Sequence, residues 1–305
     1  MAEIARHYRL FDDAKGRDRR SCAQILVVSD EVSCAYVVYD GMWEDRNLLP
    51  VNLHDPQPTL CRIGAPHDSI LTDDLALADM DRYRLVIFLN PYHLTDRQRH
   101  LIRDRVLGGG RTVVWCYAPG LFSGARATPE AMAALTGIRM SLPGGQEKIA
   151  PQIELRETTH PLGRELRARG LTIVGHDRKC CQLPLIRDPE ALILGALPGT
   201  AEPTFVVKDQ KGWRSVYVIT AKLPPAFFRA LARYAGVHIY DEADDALYAS
   251  RSYLTVSADH EGERTIRFPR AVDVFDPFTG QRLYENVAQF PLHLADKETR
   301  IFRYE

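Results

Sequence analysis

Chemistry that breaks bonds needs a nucleophile on a tight turn with a base in reach, two facing carboxylates, or a glycine cradle for phosphate. The residue types for each are present, but not at the required spacing. Cys116 stands inside the apolar run Val113-Val114-Trp115-Cys116-Tyr117 with no flanking glycine, so it reads as a core cysteine. Ser123, in Phe122-Ser123-Gly124, lacks the upstream glycine of a G-x-S-x-G elbow. His67-Asp68 and His176-Asp177 could each pair, but neither has HExxH spacing, and His160 before Pro161 reads as part of an exposed loop. Asp73-Asp74 and Asp244-Asp245 are adjacent acids that read as helix caps or solvated loop charges. After the first strand stands Ser29-Asp30-Glu31-Val32, whose acids would repel a phosphate, and Gly108-Gly109-Gly110 follows a helix, where glycine serves as a C-cap. The six cysteines, Cys180-Cys181 among them, are irregularly spaced without a CxxC pair, which argues against a zinc site or a disulfide framework. No catalytic residue, metal ligand or cofactor is therefore assigned.

The elements that would position a site alternate strand and helix. Gln24-Ile25-Leu26-Val27-Val28-Ser29 and Arg84-Leu85-Val86-Ile87-Phe88-Leu89 are unbroken apolar runs that suit parallel strands buried on both faces. Residues 56–70 carry prolines and a glycine and read mainly as loop, with a short strand at Ser69-Ile70-Leu71. Thr95 and Gln98 form a capping-box pattern ahead of Leu101, Ile102 and Val106. A further strand covers 112–117, with Cys34 also placed in strand-like sequence, and a short helix runs from Pro129 to Leu135. Later strands are expected at 191–196 and 215–220, then a helix opening at Pro224-Pro225.

This order predicts an α/β fold, a flavodoxin-like doubly wound parallel sheet over residues 21–236. Residues 237–305 alternate short β segments with turns and predict a small antiparallel β domain; residues 1–20 read as a linker helix with Ile4, Tyr8 and Phe11 on one face. In doubly wound sheets, ligands sit beyond the carboxyl ends of the strands where the strand order reverses. That rule selects Asp30, Asn90, Tyr92 and Tyr117 as candidate ligand-binding residues.

Composition narrows the function classes. The 305 residues are 45% hydrophobic and 26% charged with a net charge of −1, which gives no global attraction to nucleic acid or anionic membrane. No apolar run reaches the roughly 20 residues of a membrane helix, and Met1-Ala2-Glu3-Ile4-Ala5-Arg6 lacks the apolar core of a signal peptide, so a cytoplasmic location is expected.

Three stretches carry a family resemblance: Arg62-Ile63-Gly64-Ala65-Pro66-His67-Asp68, Val86-Ile87-Phe88-Leu89-Asn90-Pro91-Tyr92-His93-Leu94-Thr95, and Gly109-Gly110-Arg111-Thr112-Val113-Val114-Trp115-Cys116-Tyr117-Ala118-Pro119-Gly120. Leu71-Thr72-Asp73-Asp74-Leu75, Thr159-His160-Pro161-Leu162 and Ala235-Gly236-Val237-His238-Ile239-Tyr240 extend it. Together they resemble the region after the catalytic barrel in family 42 β-galactosidases and related glycoside hydrolases. The resemblance implies a class I glutamine-amidotransferase-like domain followed by a small C-terminal β domain. In that family the middle domain helps to build the oligomer, often a trimer, while the acid/base and nucleophile glutamates lie on an upstream (β/α)₈ barrel. Such a barrel takes about 250 residues, and the βα units here are too few. The Gly-x-Cys-x-Gly elbow and His-x-Glu pair of true amidotransferases are also missing. The expectation is an accessory or oligomerisation module that forms homo-oligomers or joins a separate barrel chain. A stand-alone hydrolase, through Cys116 or as a glycosidase, and a carbohydrate-binding protein using the switch-point crevice remain the alternatives.

Overall fold

The computed structural model describes residues 8, 10–36, 50–124, 126–142, 148–180, 182 and 184–305. Ile4, Cys181 and part of the expected linker helix lie outside them. Of that helix, residues 10–14 are helical, and Asp13 joins the stretch to the C-terminal sheet by accepting from the Tyr253 hydroxyl at 2.6 Å.

The apolar runs form the centre of a large sheet. Its strands are β1 (Ile25–Ser29), β2 (His67–Leu71), β3 (Leu85–Phe88), β4 (Thr112–Cys116), β5 (Gln152–Leu155), β6 (Ile173–Gly175), β7 (Leu192–Ala196), β8 (Pro203–Gln210) and β9 (Trp213–Val218). They lie in the order β2-β1-β3-β4-β9-β8-β7-β5-β6. The pairings from β2 to β9 are parallel and the rest antiparallel, so the sheet is mixed where a mostly parallel one is expected. The physical reason is connection length. Only the tight turn at Gly212 separates β8 from β9, and a turn that short can join antiparallel strands only. Ile25, Leu26, Val27, Val28 and all of β3 and β4 are buried, each apolar side chain contributing about 1.5–3 kcal/mol.

Among the described residues, the longer helices that flank the sheet are α1 (Asp96–Arg105), α2 (Pro129–Thr136), α3 (Pro161–Ala168) and α4 (Pro225–Tyr234). The capping box forms as read, with Thr95 Oγ1 accepting from the Gln98 amide and Gln98 Oε1 from the Thr95 amide. Residues 56–70 are more ordered than their prolines suggest. Pro56–Leu60 is a helical turn with proline in its first turn, where no amide donor is missed. Helix α3 was not expected, because Pro161 looks like a loop residue yet occupies the same tolerated position. Cys34 lies in a 3₁₀ turn, Val32–Tyr36, not in a strand.

The C-terminal part is antiparallel as expected: β10 (Ala246–Ala249), β11 (Tyr253–Ser257), β12 (Gly262–Phe275), β13 (Arg282–Leu294) and β14 (Thr299–Tyr304), in the order β10-β11-β14-β12-β13. It has its own core around Leu254, Val256, Ile266, Phe268, Phe290 and Phe302. The two cores meet between Ile239, which packs in the first, and Tyr240, which packs in the second.

Candidate functional site

Beyond the ends of β1 and β3 the chain must turn, and polar side chains take up the backbone groups the strands release. Asp30 follows β1 and caps the next turn, its Oδ1 accepting from the Ser33 amide at 2.6 Å. Its Oδ2 accepts from Gln98 Nε2 at 3.2 Å. Asn90 follows β3 and bonds reciprocally across the strands, its Oδ1 accepting from the Asp30 amide and its Nδ2 donating to the Asp30 carbonyl, at 2.9 and 2.8 Å. Asp30 and Asn90 are buried, at 3% and 0% exposure. The fold therefore unites two of the four candidates in a satisfied network that clamps β1 to β3.

Tyr92 and Tyr117 meet edge to face, their ring centroids 5.6 Å apart. Tyr92 is buried and Tyr117 half-buried. The Tyr92 hydroxyl accepts from Asn52 Nδ2 at 3.0 Å, and Asn52 Oδ1 accepts from the Ala221 amide and the Thr220 hydroxyl. Tyr117 takes the left-handed conformation, φ 63°, at the end of β4. That conformation costs an L-residue about 1–2 kcal/mol, and it is held by the Tyr117 amide donating to the Val218 carbonyl at 2.9 Å. The crest of the sheet thus carries a sharp elbow with a tyrosine at its apex. Ser33, Asn52, His93 and Gln98 belong to this network. Of these the sequence signalled only Gln98, and only as a capping residue. His93 is buried, its ring stacked on Tyr36 at 4.3 Å, and its Nδ1 has no hydrogen-bond partner among the described residues.

The nucleophile candidates are not brought to bases. Cys116 is fully buried, and burial pushes its thiol well above the ordinary range, opposite to what an attacking thiolate needs. Ser123 is exposed on a two-residue strand. His67 and Asp68 point to opposite faces of β2, as strand alternation requires. Asp68 instead accepts from Ser21, Arg82 and Tyr83. His176 is buried with Nδ1 facing the Arg178 backbone rather than Asp177. His160 is half-buried at the N-cap of α3 with its ring 3.1 Å from the Tyr234 hydroxyl, not in an exposed loop. The pair Asp244-Asp245 splits: Asp244 binds Arg229, while Asp245 is buried against Arg264 at 2.6 Å.

Elsewhere among the described residues the surface carries a cleft and a groove. A cleft of 130 Å³ at the meeting of the two cores is lined by Cys22, Gln24, Pro66, His238, Tyr240 and Pro269 among others. A groove of 290 Å³ on the C-terminal sheet is lined by Leu283, Tyr284, Phe290, Leu292, Arg300 and Phe302. Ligand pockets usually measure about 300–1,000 Å³, so the cleft is too small for a sugar and the groove lies at the lower limit. Among the described residues no group of three or more His, Cys, Asp or Glu could hold a metal ion, and no helix is long and apolar enough to cross a membrane.

No protein-family model and no curated protein matches the chain. Solved structures do. A β-galactosidase from Bacillus circulans sp. alkalophilus superposes with a TM-score of 0.65 and 17% identity over 94% of this chain and 42% of its own. A catalytic mutant of a GH42 β-galactosidase from G. stearothermophilus gives a TM-score of 0.65 and 14% identity over 99% of this chain and 43% of its own. A β-galactosidase from a Rahnella species gives 0.62 and 16% over 92% and 40%. The chain thus spans about two fifths of the length of these glycoside hydrolases, and its mixed nine-stranded sheet with an appended antiparallel sheet has the fold of one part of a family 42 β-galactosidase.

Proposed function

We propose that this chain is a non-catalytic accessory and oligomerisation module of a β-galactosidase-like glycoside hydrolase, acting in the cytoplasm as a homo-oligomer or with a separate barrel chain. The observation that carries the reading is the asymmetry of coverage: nearly all of this chain matches two fifths of each β-galactosidase. That fraction corresponds to the region after the barrel, where the family resemblance places it. The strand order β2-β1-β3-β4-β9, with α1 against α2 and α3 against α4, agrees with a flavodoxin-like, glutamine-amidotransferase-like domain. The inert Cys116 and the saturated clamp of Asp30 and Asn90 agree with a structural role for the crest. Fold alone does not assign function, so the test is direct. Native mass spectrometry of the purified chain should show a homo-oligomer, or a complex when a family 42 barrel chain is added. A monomer under both conditions overturns the reading.

A second reading is favoured by one feature, the elbow at Tyr117. There a strained aromatic stands edge to face against Tyr92, where a sugar could stack. Glycan binding that disappears in Tyr117→Ala would select it.

A further inference from the structure

We infer that Asp241 is a pH-sensitive latch that tightens the joint between the α/β part and the C-terminal sheet when its carboxyl is protonated and loosens it when ionised. The residue stands where the chain steps from one core to the other. The Tyr240 and Asp241 amides both point at the Gly64 carbonyl, at 2.7 and 3.3 Å, and the Tyr240 carbonyl accepts from the Arg267 amide of β12 at 2.9 Å. The loop Arg62–Gly64 is held from below by α4. Arg229, 1% exposed, donates to the carbonyls of Ile63, Arg62 and Glu242 and to the Asp244 carboxylate. Several backbone bonds across the joint thus converge on Asp241 and its neighbours, beside side-chain ties such as Arg62 to Asp259.

The carboxyl itself is badly provided for. Asp241 is 1% exposed, and its Oδ2 has no hydrogen-bond partner among the described residues. The charged groups around it come from three elements. Arg229 of α4 faces it, but its donors are spent on the carbonyls and on Asp244. Arg264 of β12 lies near, but its Nε and one terminal nitrogen are taken by both oxygens of Asp245. From its own loop, Asp245 opposes it with a like charge, while the Glu242 and Ala243 amides support it. Burial first and Asp245 second push the Asp241 carboxyl up to about 6. A charge buried without a free cation is costly. The group therefore favours the closed joint in acid and opposes it as pH rises through 6.

Hydrogen exchange on the intact chain tests this. If an opened joint restores an ordinary carboxyl, amides of residues 61–66 and 239–246, corrected for intrinsic chemistry, should exchange about tenfold faster at pH 8 than at pH 5. Amides of β1 should not follow. In Asp241→Asn the difference should vanish. Equal protection at both pH values in the native chain, or the same tenfold change in Asp241→Asn, overturns the proposal. Should the variant fail to fold, a carboxyl carbon titration of the native chain decides: a midpoint for Asp241 below pH 5 is fatal. None of these outcomes depends on whether the chain serves a glycoside hydrolase.

Discussion

Asp30 and Asp241 are the same residue, buried to the same degree, in opposite circumstances. At the crest of the sheet, Asp30 accepts from the Ser33 amide and from Gln98, and the neighbouring Asn90 closes the backbone on both sides. At the joint, Asp241 keeps one oxygen empty and faces another carboxylate. The contrast separates two uses of buried polarity: a fully satisfied network makes a rigid clamp, whereas a partly satisfied one stores a response. The crest is clamped by satisfied bonds, and the joint holds the carboxyl that responds to pH.

The largest expected effect is on the joint. A Cβ at Gly64, whose φ is +83°, would stand 1.7 Å from the Asp241 carbonyl oxygen, so Gly64→Ala should cost about 4 kcal/mol in urea unfolding. Arg229→Met keeps the packing but strands three carbonyls and should cost about 3 kcal/mol. If either variant unfolds at the native midpoint, the joint is not where the two parts are coupled.

Asp241→Asn reverses the sign. The folded carboxyl lies at about 6, above the ordinary aspartate value of 3.8, so the stability this one group contributes is full below pH 4 and is lost as pH rises through 6. The variant should be more stable by about 2–3 kcal/mol at pH 8 and by nothing below pH 4, read from denaturant midpoints across pH. At the crest, Asp30→Ala should cost about 2 kcal/mol, two hydrogen bonds to a buried turn. The smallest effect is in the strand: Cys116→Ala should cost about 1 kcal/mol, and the native thiol should resist thiol reagents until the chain unfolds.

The residues that made the crest legible were those with local signatures. The apolar runs of β1, β3 and β4, the box at Thr95 and Gln98, and the antiparallel C-terminal sheet follow from patterns a few residues long. Asp30 and Asn90 could be located because the strands they follow are unmistakable. What stayed hidden is long-range. Nothing near Asn52 announces that it will bridge Tyr92 to Thr220, 168 residues on, nor does Asp245 announce Arg264. The antiparallel pairing of β8 with β9 in a sheet expected to be mostly parallel has a related reason: apolar sequence defines a buried strand but not its direction. Asp244-Asp245 looked like solvated acids because adjacency in sequence hides that one side chain turns inward.

The proposed accessory role requires that this chain, which shares the fold of part of a glycoside hydrolase, does not itself break glycosidic bonds. Incubating the purified chain with a chromogenic β-galactoside between pH 5 and pH 8 tests that claim most directly. The expected result is release at the buffer rate throughout. Turnover that rises with chain concentration and disappears in Asp30→Ala, at a pH where that variant remains folded, would contradict it.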